Sequence, residues 1–176
     1  MGRFTLSSEY IKRRSLMKKN TRFPLFIDLK DKPVIVFGGG KIATRRVETL
    51  LDFKARVIVV APEVSERISQ LEETDARIQI IYAEFDDWNN AGGFDNGQPL
   101  FVLACTNDSG VNGIIAKYAR AYGIMTNVCD DASNCDFYFP AIVRDDEFVM
   151  GITGDGIRHS KVKEFAEKLR KFLVKK

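Results

Sequence analysis

The 176-residue chain suits one domain with an appendage better than two full domains. Its 45% hydrophobic, 11% aromatic and 29% charged residues exclude a low-complexity or disordered chain, and no apolar run approaches the roughly 18–20 residues that span a bilayer. The net charge of +3 fits an anionic small substrate without requiring one.

Residues 1–22 form a basic extension with Lys12, Arg13, Arg14, Lys18 and Lys19. It has no apolar stretch of the kind a secretory signal carries, and no aromatic interleaving or hydrophobic face to make it a nucleic-acid or membrane arm. Phe23-Pro24-Leu25-Phe26-Ile27 follows, ending at Asp28. Val34 to Phe37 is a short continuous apolar run, as expected of a strand covered on both faces in a parallel sheet. Three glycines come next. Ala43, Val47, Leu50 and Leu51 then recur at i, i+4, i+7 and i+8, which is helix period. Val57 to Val60 is a second buried strand, stopped at Ala61-Pro62.

The alternation continues. Val64, Ile68 and Leu71 give a helix face, and Ile78 to Ile81 a strand. Residues 86–99, rich in Asp, Asn and Gly, are expected to be a loop. Leu100 to Ala104 is a strand; Val111, Ile114, Ile115, Tyr118 and Tyr122 mark a helix that Gly123 ends; Ile124 to Val128 is another strand. Alternating strands and helices imply a Rossmann-type, doubly wound parallel α/β sheet over residues 23–132. Beyond it, residues 133–176 read as a β-hairpin, with arms 137–143 and 148–152 around the polar turn 144–147, and a last helix carrying Val162, Phe165, Ala166, Leu169, Phe172 and Leu173. So small an aromatic hairpin cannot bury both faces alone, which makes the region a candidate for packing on a second subunit.

The chemistry concentrates where strands end. Gly38-Gly39-Gly40-Lys41-Ile42-Ala43 is a G-x-G-x-x-A match between a buried strand and a periodic helix. Gly38 permits the tight turn, Gly40 lets backbone approach a pyrophosphate, and the following helix offers free N–H groups to the anion. Glu63 stands about where a ribose-binding acid is expected, and reads equally as an acid in the first turn of a helix. No arginine sits at that strand end, which favours NAD over NADP. Thr106-Asn107-Asp108 follows a strand on the ligand-binding edge and also suits a helix N-cap. Asp130 ends the last strand of the sheet, where an aspartate can exchange a proton beside a nicotinamide or simply form a turn. Cys105, Cys129 and Cys135 are an odd number and no disulfide framework; they are expected to be free thiols in a reducing cytoplasm. With His159 as the single histidine they make no metal site.

Taken together, Phe23 to Leu29, Val34 to Arg46, Val59 to Glu63, Ala104 to Asp108, Asn127 to Asp130 and Asp136 to Ala141 resemble, in order, the precorrin-2 dehydrogenases, the NAD-dependent modules of siroheme synthases. The resemblance implies oxidation of precorrin-2 to sirohydrochlorin with hydride passing to NAD+. It implies NAD contacts at Lys41, Ile42, Pro62, Glu63, Thr106 and Asn107, and Asp130 as the catalytic base. It also implies a homodimer formed through the second domain and, in some members, Fe2+ as a further substrate. The loop 153–159 departs from the family pattern, with Asp155 and Arg158 where Ser/Thr-Gly-Gly-x-Ser-Pro is usual, and the chain continues for one helix only. Two non-catalytic readings compete: a nucleotide-sensing regulatory module, in which an acid generally ends the second strand where this chain has Ala61, and a tetrapyrrole or metal carrier.

Overall fold

A computed structural model describes residues 22–154 and 159–173; the basic extension up to residue 21 and the substituted positions Asp155 and Arg158 lie outside the described residues. Five parallel strands form one sheet in the order β3-β2-β1-β4-β5. They are β1 (Pro33–Phe37), β2 (Arg56–Val60), β3 (Ile78–Ile81), β4 (Phe101–Ala104) and β5 (Met125–Val128). Each strand is the apolar run expected, to within a residue or so at its ends. Helices α1 (Lys41–Asp52), α2 (Glu66–Thr74), α3 (Phe85–Asn90) and α4 (Ser109–Ala121) connect them.

The sheet is wound from its middle. The chain moves outward from β1 through β2 to β3, then returns to place β4 on the other side of β1. One face of the sheet is covered by α1 and α2, through Ala43, Val47, Leu50, Leu51 and Ile68. The other face is covered by α4 and by aromatic residues from the segment after β3. Strands sandwiched in this way lose apolar surface on both sides, which is why Val34, Val36, Val59, Val102 and Leu103 are fully buried.

That second face corrects one expectation. Residues 86–99 are no plain loop: they hold most of α3 and a 3-10 turn at Gly93–Asn96. Phe85, Trp88 and Phe94 are driven into the core, with ring centroids 5.4, 5.1 and 6.4 Å from that of Phe37. A six-residue helix is too short to show a period, so its polar residues dominate the sequence pattern. Burial decides its structure instead, each large aromatic contributing roughly 1.5–3 kcal/mol.

The residue contacts divide the chain into two compact units, one of them Leu25–Ala141 and the other including the segment from Ile142 onward. The second unit carries the antiparallel hairpin arm β7 (Val149–Ile152), paired with β6 (Ala141–Arg144), and helix α5 (His159–Leu173). Its helix and hairpin are tied by Arg170, which donates to the Ile142 carbonyl at 2.7 Å. The first hairpin arm is shorter than expected. Phe137 and Phe139 precede it and pack against the core of the sheet unit, with the Phe137 ring 4.9 Å from that of Phe101. Asn127, buried in β5, holds this segment by donating to the Phe137 carbonyl at 2.9 Å.

Candidate active site

The strand register brings the expected site residues to one edge. Phe37 is aligned with Val60 and with Ala104, and Ala104 with Val128. The ladder extends one residue further: Gly38 donates to the Val60 carbonyl at 2.9 Å, Cys105 to that of Phe37 at 2.8 Å, and Cys129 to that of Ala104 at 2.9 Å. Gly38, Ala61, Cys105 and Cys129 therefore form a row across the carboxyl end of the sheet. Gly40, Lys41, Ile42, Pro62, Glu63, Thr106, Asn107 and Asp130 all lie within a few residues beyond it. The winding reverses between β1 and β4, the place where open α/β sheets leave a crevice for ligands.

The three glycines do different things. Gly38 has φ +109°, and a Cβ there would overlap the carbonyl of Cys105. Gly39 lies against the backbone of Glu63 and Val64, and its carbonyl accepts from the Ser65 N–H at 2.9 Å. Gly40 has no atom within 4 Å of where a Cβ would stand. The first two glycines are thus required by the protein's own backbone, and the third faces open space. Gly40 is also the N-cap of α1 and supplies no side-chain cap, and no acid occupies the first turn. By contrast Ser65 caps α2 and Asp108 caps α4. The N-terminus of α1 is left with donors and a positive dipole end facing outward, which fits a pyrophosphate.

Around it, Lys41, Ile42, Pro62 and Glu63 are exposed. Glu63 precedes the Ser65 cap, so it is not in the first turn of α2, and that alternative for it is removed. Among the described residues the side chains of Lys41, Glu63 and Asn107 make no hydrogen bond or ion pair.

Across the switch point the polar groups are engaged with one another. Asp108 accepts from the Gly110 and Val111 N–H groups at 2.7 and 3.1 Å, which makes it the N-cap the sequence allowed. Asn112 is 1% exposed. Its Oδ1 accepts from the Thr106 N–H at 3.0 Å and lies 2.8 Å from the Thr106 hydroxyl. Its Nδ2 donates to the Thr106 carbonyl at 3.2 Å and to Asp130 Oδ1 at 3.0 Å. The other oxygen of Asp130 accepts from Ser109 Oγ at 2.5 Å.

The adjacent aspartates divide two roles. Asp131 makes the local turn, accepting from the Ser133 N–H at 2.9 Å and its hydroxyl at 2.6 Å, and these bonds hold its carboxyl below the ordinary range. Asp130 reaches instead to α4. Ser109 and Asn112 were not among the expected site residues. The signal for them was weak: Asn112 stands one position from the apolar stripe of its helix, and nothing local says that it is buried.

Cys105 and Cys129 face each other across adjacent strand ends, with Cα atoms 5.3 Å apart. This proximity follows from register, since both residues extend adjacent strands by one position. Their separation of 24 residues conceals it in the sequence. Nearby, the Arg46 guanidinium stacks 4.2 Å from the Phe139 ring centroid. Burial, and then the neighbouring Arg45, lower its pKa, with Cys135 acting in the opposite sense. No group of three or more His, Cys, Asp or Glu suited to a metal ion is present among the described residues. No helix of the described residues is long and apolar enough to cross a membrane.

A family model described as putative NAD(P)-binding matches residues 25–141. The chain is 42% identical over 155 residues to the probable multifunctional siroheme biosynthesis protein HemA of Ruminiclostridium josui, covering 85% of this chain and 28% of that protein. It is 36% identical over 134 residues to the siroheme synthase of Psychrobacter sp. (strain PRwf-1), covering 76% and 26%. It thus spans less than a third of the length of these curated relatives. Among solved structures it is similar to SirC, a precorrin-2 dehydrogenase, with a TM-score of 0.67 and 28% identity over 84% of this chain and 69% of that one.

Proposed function

The chain belongs to the putative NAD(P)-binding family, and from that premise we propose that it oxidises precorrin-2 to sirohydrochlorin with NAD+ as the hydride acceptor. The overall change is precorrin-2 plus NAD+ to sirohydrochlorin, NADH and a proton. The single observation that carries the reading is the shared edge. An uncapped helix N-terminus behind Gly40 and a carboxylate held off its own backbone, Asp130, both follow directly on one row of strand ends. The substrate class comes from the siroheme relatives and from the dehydrogenase of similar fold.

In this reading Gly40, Lys41 and Ile42 bind the pyrophosphate through the N-terminus of α1, and Pro62, Glu63, Thr106 and Asn107 contact the rest of the dinucleotide. Bound NAD+ supplies the hydride acceptor. Asp130 takes the proton that leaves with the hydride; each of its oxygens already accepts one hydrogen bond and keeps a lone pair for that purpose. The exposed Phe148, Val149, Phe165 and Phe172 of the hairpin and α5 are where a homodimer contact would be made. Insertion of Fe2+ as a second substrate rests on the family resemblance alone.

The test is turnover of precorrin-2 with NAD+, read as NADH formation. Asp130→Ala is expected to lower kcat at least about a hundredfold while leaving NAD+ affinity unchanged, in keeping with the usual worth of a positioned base. Full activity in that variant removes Asp130 from the chemistry. The same mixture with Fe2+ added reads chelation as a further absorbance change.

A further inference from the structure

We propose that Ser109 and Asn112 are positioning residues that hold the Asp130 carboxylate in one orientation at the edge of the cleft. The inference rests on the reading of Asp130 as the proton acceptor and adds to it the part of the fold that aims that group.

The orientation of the Asn112 amide is dictated rather than chosen. An amide has two N–H donors and an oxygen with two lone pairs. The backbone N–H of Thr106 can only donate, so Asn112 Oδ1 must face it, at 3.0 Å. The Thr106 carbonyl can only accept, so Nδ2 must face that, at 3.2 Å. With both ends assigned by backbone groups, the remaining N–H is directed at Asp130 Oδ1, at 3.0 Å. Aspartate at position 112 would keep the shape but present an oxygen to an oxygen.

Ser109 supplies the second constraint. It stands three residues before Asn112, so both side chains leave one face of α4. Its hydroxyl donates to Asp130 Oδ2 at 2.5 Å while Asn112 holds Oδ1. Two donors from one helix face, each on a different oxygen, fix the carboxylate plane. A single donor would leave it free to turn.

A purely structural role does not explain the arrangement. Asn112 clamps the β4 exit through its contacts with Thr106, and that clamp needs nothing from Asp130. The N-terminus of α4 is already capped by Asp108, so the bond from Ser109 closes no orphan group. Asp130 is exposed, and water could have satisfied it. The chain nevertheless spends a buried N–H and a hydroxyl on its orientation, as expected of a group that must meet a reacting atom in one geometry.

The experiment measures kcat, the KM for precorrin-2 and the Kd for NAD+ in Asn112→Asp, Ser109→Ala and Ser109→Thr, with Asp130→Ala as reference. Asn112→Asp is expected to lower kcat about a hundredfold and Ser109→Ala about tenfold, the latter with NAD+ Kd unchanged, and each with a solvent isotope effect on kcat larger than in the unmodified protein. Ser109→Thr, which keeps the hydroxyl, is expected to recover most of the lost rate.

If Asp130→Ala is inactive while both Asn112→Asp and Ser109→Ala turn over normally, the positioning role is wrong and the base assignment stands. If Asp130→Ala is fully active, the base assignment itself is wrong. Should Asn112→Asp fail to fold, Ser109→Ala, at an exposed position, decides alone. A readout independent of turnover is the side-chain amide resonance of Asn112. It is expected to shift when Asp130 is replaced by Ala, and an unmoved signal overturns the contact.

Discussion

The two halves of the sheet edge treat their polar groups in opposite ways. Beyond β1 and β2 the groups are left open: α1 has no side-chain cap, Gly40 faces empty space, and Lys41 and Glu63 have no partner among the described residues. Beyond β4 and β5 most of the groups are closed on one another, through Asp108, Thr106, Asn112, Ser109 and Asp130, and Asn107 alone of the Thr106–Asp108 triplet is left open among the described residues. A polar group that folding leaves unsatisfied at a helix terminus is available to a ligand. One that folding ties to fixed donors is held in place. The first half therefore offers open groups to a ligand, and the second holds Asp130 in one orientation while leaving Asn107 open.

Substitutions at neighbouring positions put this contrast at risk, and the largest effect belongs to Gly39. A Cβ there meets the backbone of Glu63 and Val64, which cannot move aside as a flexible side chain can. Gly39→Ala is expected to cost on the order of 3 kcal/mol, read as a lowered urea midpoint. An unchanged midpoint shows that the β2–α2 connection yields freely and that the loop is not braced as described.

Gly40→Ala separates binding from folding one residue further on. The Cβ enters open space, at a φ of −81° that alanine adopts readily. Stability is expected to fall by less than about 1 kcal/mol, the difference between Gly and Ala at an N-cap. NAD+ affinity is expected to fall about tenfold, or roughly 1.4 kcal/mol, by titration. Unaltered affinity places the pyrophosphate elsewhere.

Asp108→Ala probes the closed half at its periphery. Loss of the α4 cap is expected to cost about 1 kcal/mol, seen as a drop in Tm, with little change in NAD+ affinity. A large loss of NAD+ binding in that variant means that the cap also contacts the cofactor, and the contrast between open and held groups fails.

Much of the edge was legible beforehand. Gly38 and Gly40 declared themselves by spacing between a strand and a helix, and Asp130 by its place after the last strand of the sheet. What stayed hidden has one feature in common. Gly39 is required by a chain segment more than 20 residues away, Cys105 meets Cys129 across a strand pair, and Asn112 meets Asp130 across a helix–strand gap. Phe85, Trp88 and Phe94 sit in a stretch whose local composition is that of a loop, and they fold inward because Phe37 is there to receive them.

The sequence by itself determined the alternation of buried strands and periodic helices, the glycine turn and the sheet edge at which the candidate site residues gather. All of these depend on backbone geometry repeated over a few residues. Only the tertiary structure decided which side chains meet at that edge. Such meetings depend on the register of one strand against the next, and register is set by the burial of the whole sheet rather than by any window of the chain. Asp130 stands at the junction of the two kinds of information: its position is sequential, and its orientation belongs to α4.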